Sequence, residues 1–299
     1  MTRIARPLAP AALALSLLLS ACSQGSGGSP GPIAHPPGND LVLRIEFSGG
    51  MIRDFFLTGF PSFTMAGDGR VIVPGAQIDM FPGPALPAVN VRKLTEEGVQ
   101  AVLNEVARTG LFGQSVEYMG AANFTADGGE TTFILHAEGK DVRVKVAALG
   151  GLVPEGNYPG ISAEELAAHR TLARLADELG NLDAQLPADA WEDPSWKAYV
   201  PDALRLLVRN ADADPPDDSG IGNAMIDWPV DSDPATFGDE ASDGTIRCGV
   251  VSGQEAKDWY AALTGANQMA RFVSGDHKYE VTVRFLLPDE PLECPQPLT

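Results

Sequence analysis

Cysteine, histidine and positive charge are scarce in this chain, and each shortage closes off a class of function. The three cysteines, Cys22, Cys248 and Cys294, form no Cys-x-x-Cys, so thioredoxin-like chemistry lacks its motif. The four histidines, His35, His136, His169 and His277, form no His-Glu-x-x-His, so no helix face presents the paired ligands of a zinc site. Lysine and arginine number 21 against 40 acids, a formal charge of −19. A body with that balance repels nucleic acid and anionic lipid, which excludes nucleic acid as a partner. Ser-x-x-Lys is missing, and the single Gly-x-Ser-x-Gly, Gly27-Gly28-Ser29-Pro30-Gly31, sits in a Gly/Ser/Pro stretch without the strand and helix of a nucleophile elbow. Gly25-Ser26-Gly27-Gly28 lacks the following helix and lysine of a phosphate loop. No motif calls for a cofactor or a metal, and no catalytic residue stands out. Because catalytic triads assemble in space, the motifs alone leave enzymatic activity uncertain, with no activity the favoured reading.

Long apolar runs are lacking too, except at the N-terminus. There Arg3 and Arg6 precede a 12-residue apolar run from Leu8 to Leu19, and Leu19-Ser20-Ala21-Cys22 closes it. Such a run is too short to span a bilayer, which needs about 20 residues, and has the length of a secretory h-region. The arrangement resembles the signal peptide and lipobox of bacterial lipoproteins. That resemblance implies cleavage before Cys22 and a diacylglyceryl group on its thiol. Residues 1–21 are then a signal peptide, and the mature protein is extracytoplasmic and lipid-anchored to the cell membrane through Cys22. An ordinary cleaved signal with a chance cysteine is the alternative. Two acyl chains anchor a protein stably where one does so only marginally. Removing Arg3 and Arg6 leaves 19 bases against 40 acids, a formal charge of −21.

Residues 22–39 read as a flexible Gly/Ser/Pro tether, reaching roughly 25 Å as a coil, with His35 solvated. If Cys22 is lipidated, Cys248 and Cys294 remain. An even remainder in an exported chain reads as one disulfide, with a free thiol as the alternative.

The body reads as α+β, with largely antiparallel sheet segments and two to three packed helices. Leu41, Leu43, Ile45 and Phe47 share one face of a strand, with Arg44 and Glu46 on the other. Residues 63–66 and 70–73 form a hairpin about Gly67-Asp68-Gly69, and 74–90 a long surface loop. Thr95 caps a helix running to Arg108, and a second hairpin, 131–136 with 142–148, turns near Gly139. A further helix starts at Ser162, where Glu165 three residues on suggests a capping box, and ends at Gly180. Residues 183–197 suggest a boundary between an N-terminal domain, 40–185, and a C-terminal domain, 196–299, which can also pack as one unit. The second half offers strands at 204–209, 245–251 and 279–287 and a helix at 255–263.

Gly67-Asp68-Gly69-Arg70-Val71, Leu94-Thr95-Glu96-Glu97 and Val283-Arg284-Phe285-Leu286-Leu287-Pro288-Asp289-Glu290 resemble lipoproteins of unassigned function from high-GC bacteria. That likeness implies a fold and no activity.

Two clusters remain. From Asp212 to Asp243 the chain carries ten acids and no base, which reads as a mobile solvated loop. A calcium site there is disfavoured, since Pro216 takes the fifth place of an EF-hand pattern and Asp217 its glycine. Trp191, Trp196 and Tyr199 lie within nine residues and suggest a platform for a sugar or peptide ligand, or packing between the halves. The reading is a membrane-anchored binding or interaction module. Its expected partners are the membrane, through the lipid, and a basic or neutral protein or small ligand of the envelope. An exported hydrolase of cell wall or peptide is the alternative.

Overall fold

A computed structural model describes residues 31–49, 55–152, 156, 158–215, 224–241 and 244–295. Residues 1–30, which hold the expected signal peptide, Cys22 and much of the expected tether, lie outside the described residues. Ile33–Thr299 forms one compact unit.

Strands hold 33% of the described residues and helices 24%, so the class is α+β, with more sheet than the sequence suggests. The first sheet contains β1 (Leu41–Ser48), β2 (Phe63–Ala66), β3 (Arg70–Pro74), β4 (Val89–Lys93), β5 (Val116–Tyr118), β6 (Glu130–Ala137), β7 (Lys140–Ala147) and β8 (Lys197–Ala198). Their spatial order is β5-β7-β6-β1-β2-β3-β4-β8. The second sheet contains β9 (Ala203–Asn210), β10 (Met225–Asp227), β11 (Asp239–Ala241), β12 (Ile246–Ser252), β13 (Arg271–Ser274) and β14 (His277–Phe285), in the order β10-β13-β14-β9-β12-β11. Both sheets are mixed: β5 runs parallel to β7, and β10 parallel to β13. Among the described residues the helices are α1 (Phe55–Thr58), α2 (Glu96–Arg108), α3 (Ala163–Gly180), α4 (Leu182–Gln185) and α5 (Gly253–Leu263).

Apolar periodicity decides which faces are buried. Val99, Val102, Leu103 and Val106 of α2 and Leu172, Leu175 and Leu179 of α3 pack on Leu43, Ile45, Phe63 and Met65 of the first sheet. Each such side chain contributes about 1.5–3 kcal/mol on burial. Thr95 caps α2 by accepting from the Gly98 amide, 3.2 Å. Ser162 likewise accepts from the Glu165 amide, 3.1 Å, but the capping box is only half made. The Glu165 carboxylate accepts instead from the Gly120 amide, 2.6 Å, and ties α3 to a neighbouring turn.

The second core joins the sheets. Ile72 and Val89 of the first sheet enter one cluster with Leu204, Leu206, Val208, Trp259 and Phe285 of the second half. The 183–197 stretch is not a free linker. The Glu192 amide donates to the Lys93 carbonyl, 2.9 Å, and β8 pairs with β4, so this segment forms the edge of the first sheet.

Three further expectations are corrected. Strand β1 is not half-buried: Arg44 is buried beside its apolar neighbours, while Phe47 is exposed. A register shift between Leu41 and Leu43 also brings Val42 into the core. The tether is docked from Ile33 onward. The Ile33 amide donates to Gln100 Oε1, 2.7 Å, and Ile33 packs against the first core. His35 is not solvated: its ring lies against Glu96, Nε2 to Oε1 3.2 Å, with its side chain 11% exposed. The chain passes so close there that a Cβ on Gly67 would sit 2.1 Å from the Pro36 carbonyl oxygen.

The acidic stretch, where described, is built into the second sheet rather than mobile. Strand β10 pairs with β13, β11 pairs with β12, and Phe237 is buried. Its charges find bases elsewhere in the chain. Asp214 pairs with Arg209, 2.7 Å, and Arg271, 3.4 Å, and Asp212 with His277, 2.7 Å.

Candidate functional site

The three aromatics singled out in the sequence form no common platform. Trp191 is buried in the first core, its ring edge-on to Trp196 at 5.6 Å and beneath the Arg92 guanidinium at 4.1 Å. Trp196 is half-buried and donates from Nε1 to Asp183 Oδ2, 2.7 Å. Tyr199 belongs to the second core and donates its hydroxyl to the Leu286 carbonyl, 3.1 Å. Burial pushes its phenol up to about 12. The aromatic pattern marks packing on both sides of the β4–β8 edge. Two of the three surfaces are closed to a ligand.

Cys248 and Cys294 are joined in a disulfide, with Cα atoms 6.0 Å apart. The bond fastens the C-terminal segment to β12, beside Leu57 and Leu207. Among the described residues no group of three or more His, Cys, Asp or Glu side chains is arranged to hold a metal ion.

The C-terminal segment borders a cleft of about 780 Å³, the size of a small-molecule site. Its walls come from the end of β1, α1 and the residues after it, the 119–129 segment, the start of β6, the end of β7, the start of β9, the end of β14 and the C-terminal segment. Phe56, Phe60, Pro61 and Met119 supply apolar surface, and Arg205 and Arg284 supply donors.

Three arginines are buried in this region: Arg44, Arg205 and Arg284. The C-terminal segment answers two of them. Asp289 pairs with Arg44 at 2.5 Å, and Glu290 takes Arg284 in a two-point grip at 2.6 Å each. Arg284 also donates to the Gly59 carbonyl, 2.8 Å. Burial works to raise the Glu290 carboxyl, but the Arg284 guanidinium prevails and holds it below its ordinary value.

Arg205 receives no carboxylate among the described residues. It donates to the carbonyls of Leu57 and Glu293, each 3.2 Å, while its Nε is buried with no partner. It also stands directly opposite Arg284 across the β9–β14 pair, and like charges so placed repel. Burial first and Arg284 second push its guanidinium down to about 10, against an opposing pull from Glu290.

Arg284 and Glu290 lie in a segment quoted only for its likeness to other lipoproteins, and Arg205 had no signal of its own. An arginine in the middle of an otherwise apolar strand, Ala203-Leu204-Arg205-Leu206-Leu207-Val208, is the one clue the sequence offered. Comparison with protein-family models, with curated proteins and with solved structures gives no match.

Proposed function

We propose that this chain is a membrane-anchored extracytoplasmic lipoprotein that acts as a binding module, holding a small ligand in the cleft between its two sheets. The observation that carries this reading is the cleft itself: about 780 Å³, walled by Phe56, Phe60 and Met119, with arginine donors among them. Ligand sites combine apolar walls with a few placed polar groups in this way. The anchor rests on Arg3, Arg6, the apolar run and Leu19-Ser20-Ala21-Cys22. A disulfide is at home in an oxidising compartment and fits export. Among the described residues no helix is long and apolar enough to cross a membrane, so attachment falls to the lipid.

The hydrolase alternative finds less support. Described hydroxyls in the cleft lining are Ser48 and Thr125, and no histidine is among the described lining residues.

Two measurements test the reading. Intact mass of membrane-derived protein should show a diacylglyceryl adduct on a chain beginning at Cys22, and Cys22→Ala should leave the chain unlipidated and uncleaved before residue 22. A lipid-free chain starting elsewhere refutes the anchor. A fragment screen followed by NMR should move the amides of Ser48, Gly59 and Arg284 together. Hits that all cluster elsewhere refute the site.

A further inference from the structure

We infer that the cleft receives a small amphiphilic anion, a carboxylate or phosphate monoester on an apolar body, whose charged group is held by the Arg205 guanidinium. This rests on the binding-module reading and names the ligand class of the same site.

Charge accounting motivates it. Three guanidiniums are buried here, and the C-terminal segment supplies two close carboxylates, Asp289 and Glu290. Glu46 adds a third carboxylate, 3.6 Å from Arg44, so among the described residues Arg205 alone of the three arginines has no carboxylate within ion-pair distance; its partners are carbonyls, and its Nε is buried without one. Buried donors are normally satisfied, and a buried charge without a counter-ion is costly. The cost rises because Arg205 faces Arg284 across neighbouring strands. An anion in the cleft supplies the missing counter-charge and offsets the repulsion between the two guanidiniums. A guanidinium–carboxylate or guanidinium–phosphate contact is charge-assisted and stronger than a neutral hydrogen bond.

The rest of the ligand follows from the walls. A bare inorganic anion would leave most of a cleft of about 780 Å³ unfilled. Phe56, Phe60 and Pro61 favour an apolar body beside the charged head. Carboxylates also line the cleft, each beside a base or exposed: Glu290 is held by Arg284 at 2.6 Å. Glu46 lies 3.6 Å from Arg44, Glu130 lies 3.5 Å from Lys145, and Asp127 is exposed, where water screens it. The formal charge of −19 works against docking on an anionic bilayer, so a free molecule is favoured over a lipid headgroup as the source.

Calorimetry on the full chain in phosphatidylcholine nanodiscs, with empty discs as blank, provides the test. The probes are 3-phenylpropionate, phenyl phosphate and the neutral 3-phenylpropionamide. The acid should bind at least tenfold more tightly than the amide, and Arg205→Met should reduce that ratio to within about twofold. Arg205→Lys, which keeps the charge, should retain part of the preference. Equal affinities for acid and amide in the wild type overturn the anion assignment and leave the binding module standing. Silence from all three probes also overturns it, and the fragment screen then judges the module separately. If Arg205→Met does not fold, the wild-type ratio and Arg205→Lys still decide. Competition by phosphatidylglycerol placed in the disc would assign the same recognition to a lipid headgroup.

Discussion

His277 and Asp212 set opposite edges of one pH window. The hydrogen bond from His277 and that from the Lys278 amide hold the Asp212 carboxyl down to about 2, below an unfolded value of about 3.9. Asp212 hydrogen bonding holds His277 above its ordinary value of about 6.5. The carboxylate's contribution is therefore complete above about pH 4 and is lost as pH falls toward 2. The histidine's contribution is complete below about pH 6.5 and is lost as pH rises through its raised value. Asp212→Asn should return His277 toward its ordinary value in an NMR titration. An unmoved value would assign the effect to Asp276 and Asp233 instead. His169 runs the other way, because burial lowers it and its Nε2 has no partner. Below about pH 6.5 the unfolded chain takes that proton first, so stability falls on acidification. Urea midpoints at pH 5 and pH 7 should differ less in His169→Leu than in the wild type. At this scale the sequence named residue types well and their surroundings poorly. Arg44 meets Asp289 across 245 positions, a distance no local pattern spans.

Elements with a strong period and a cap were legible. Thr95 and Ser162 start α2 and α3 as their side chains suggest, and Gly139 turns the β6–β7 hairpin at φ 66°. Strands β5, β8, β10 and β11, two or three residues each, were not, because they are too short for alternation to register. The acidic stretch misled for a different reason. Its bases, Arg209, Arg271 and His277, come from other strands. Tertiary approach also reverses a helix propensity. Gly98 sits within α2, where alanine ordinarily gains about 1 kcal/mol. A Cβ there would lie 2.3 Å from the Ala190 carbonyl oxygen, a backbone atom that cannot yield alone. Gly98→Ala should therefore lower the urea midpoint, whereas Ala101, half-buried on the same helix, should lose stability on change to glycine. A raised midpoint for Gly98→Ala would show that the turn at 188–190 moves freely away from α2.

Across the whole molecule the question is whether two sheets make two folding units. Composition suggested a boundary near 183–197, but that stretch is bound to β4, and the sheets divide between Ala198 and Ala203. Three kinds of link cross between the halves. Ile72 and Val89 share a core with Leu204, Leu206 and Phe285. The Arg44–Asp289 pair joins β1 to the C-terminal segment, and the Arg284–Gly59 hydrogen bond joins β14 to the residues after α1. Baring that core would expose several large apolar side chains on each side, at about 1.5–3 kcal/mol apiece, so a state with one sheet folded alone is strongly disfavoured. Calorimetry of the oxidised protein should give one transition, with calorimetric and van't Hoff enthalpies equal. The Cys248–Cys294 bond closes a loop of separation 46, worth roughly 4 kcal/mol on the chain-entropy model. Reduction should therefore lower the transition temperature while leaving a single peak, because the crosslink lies within the second half and the contacts between sheets do not depend on it. Two resolved peaks in the oxidised protein would show that the shared core is too weak to couple the sheets.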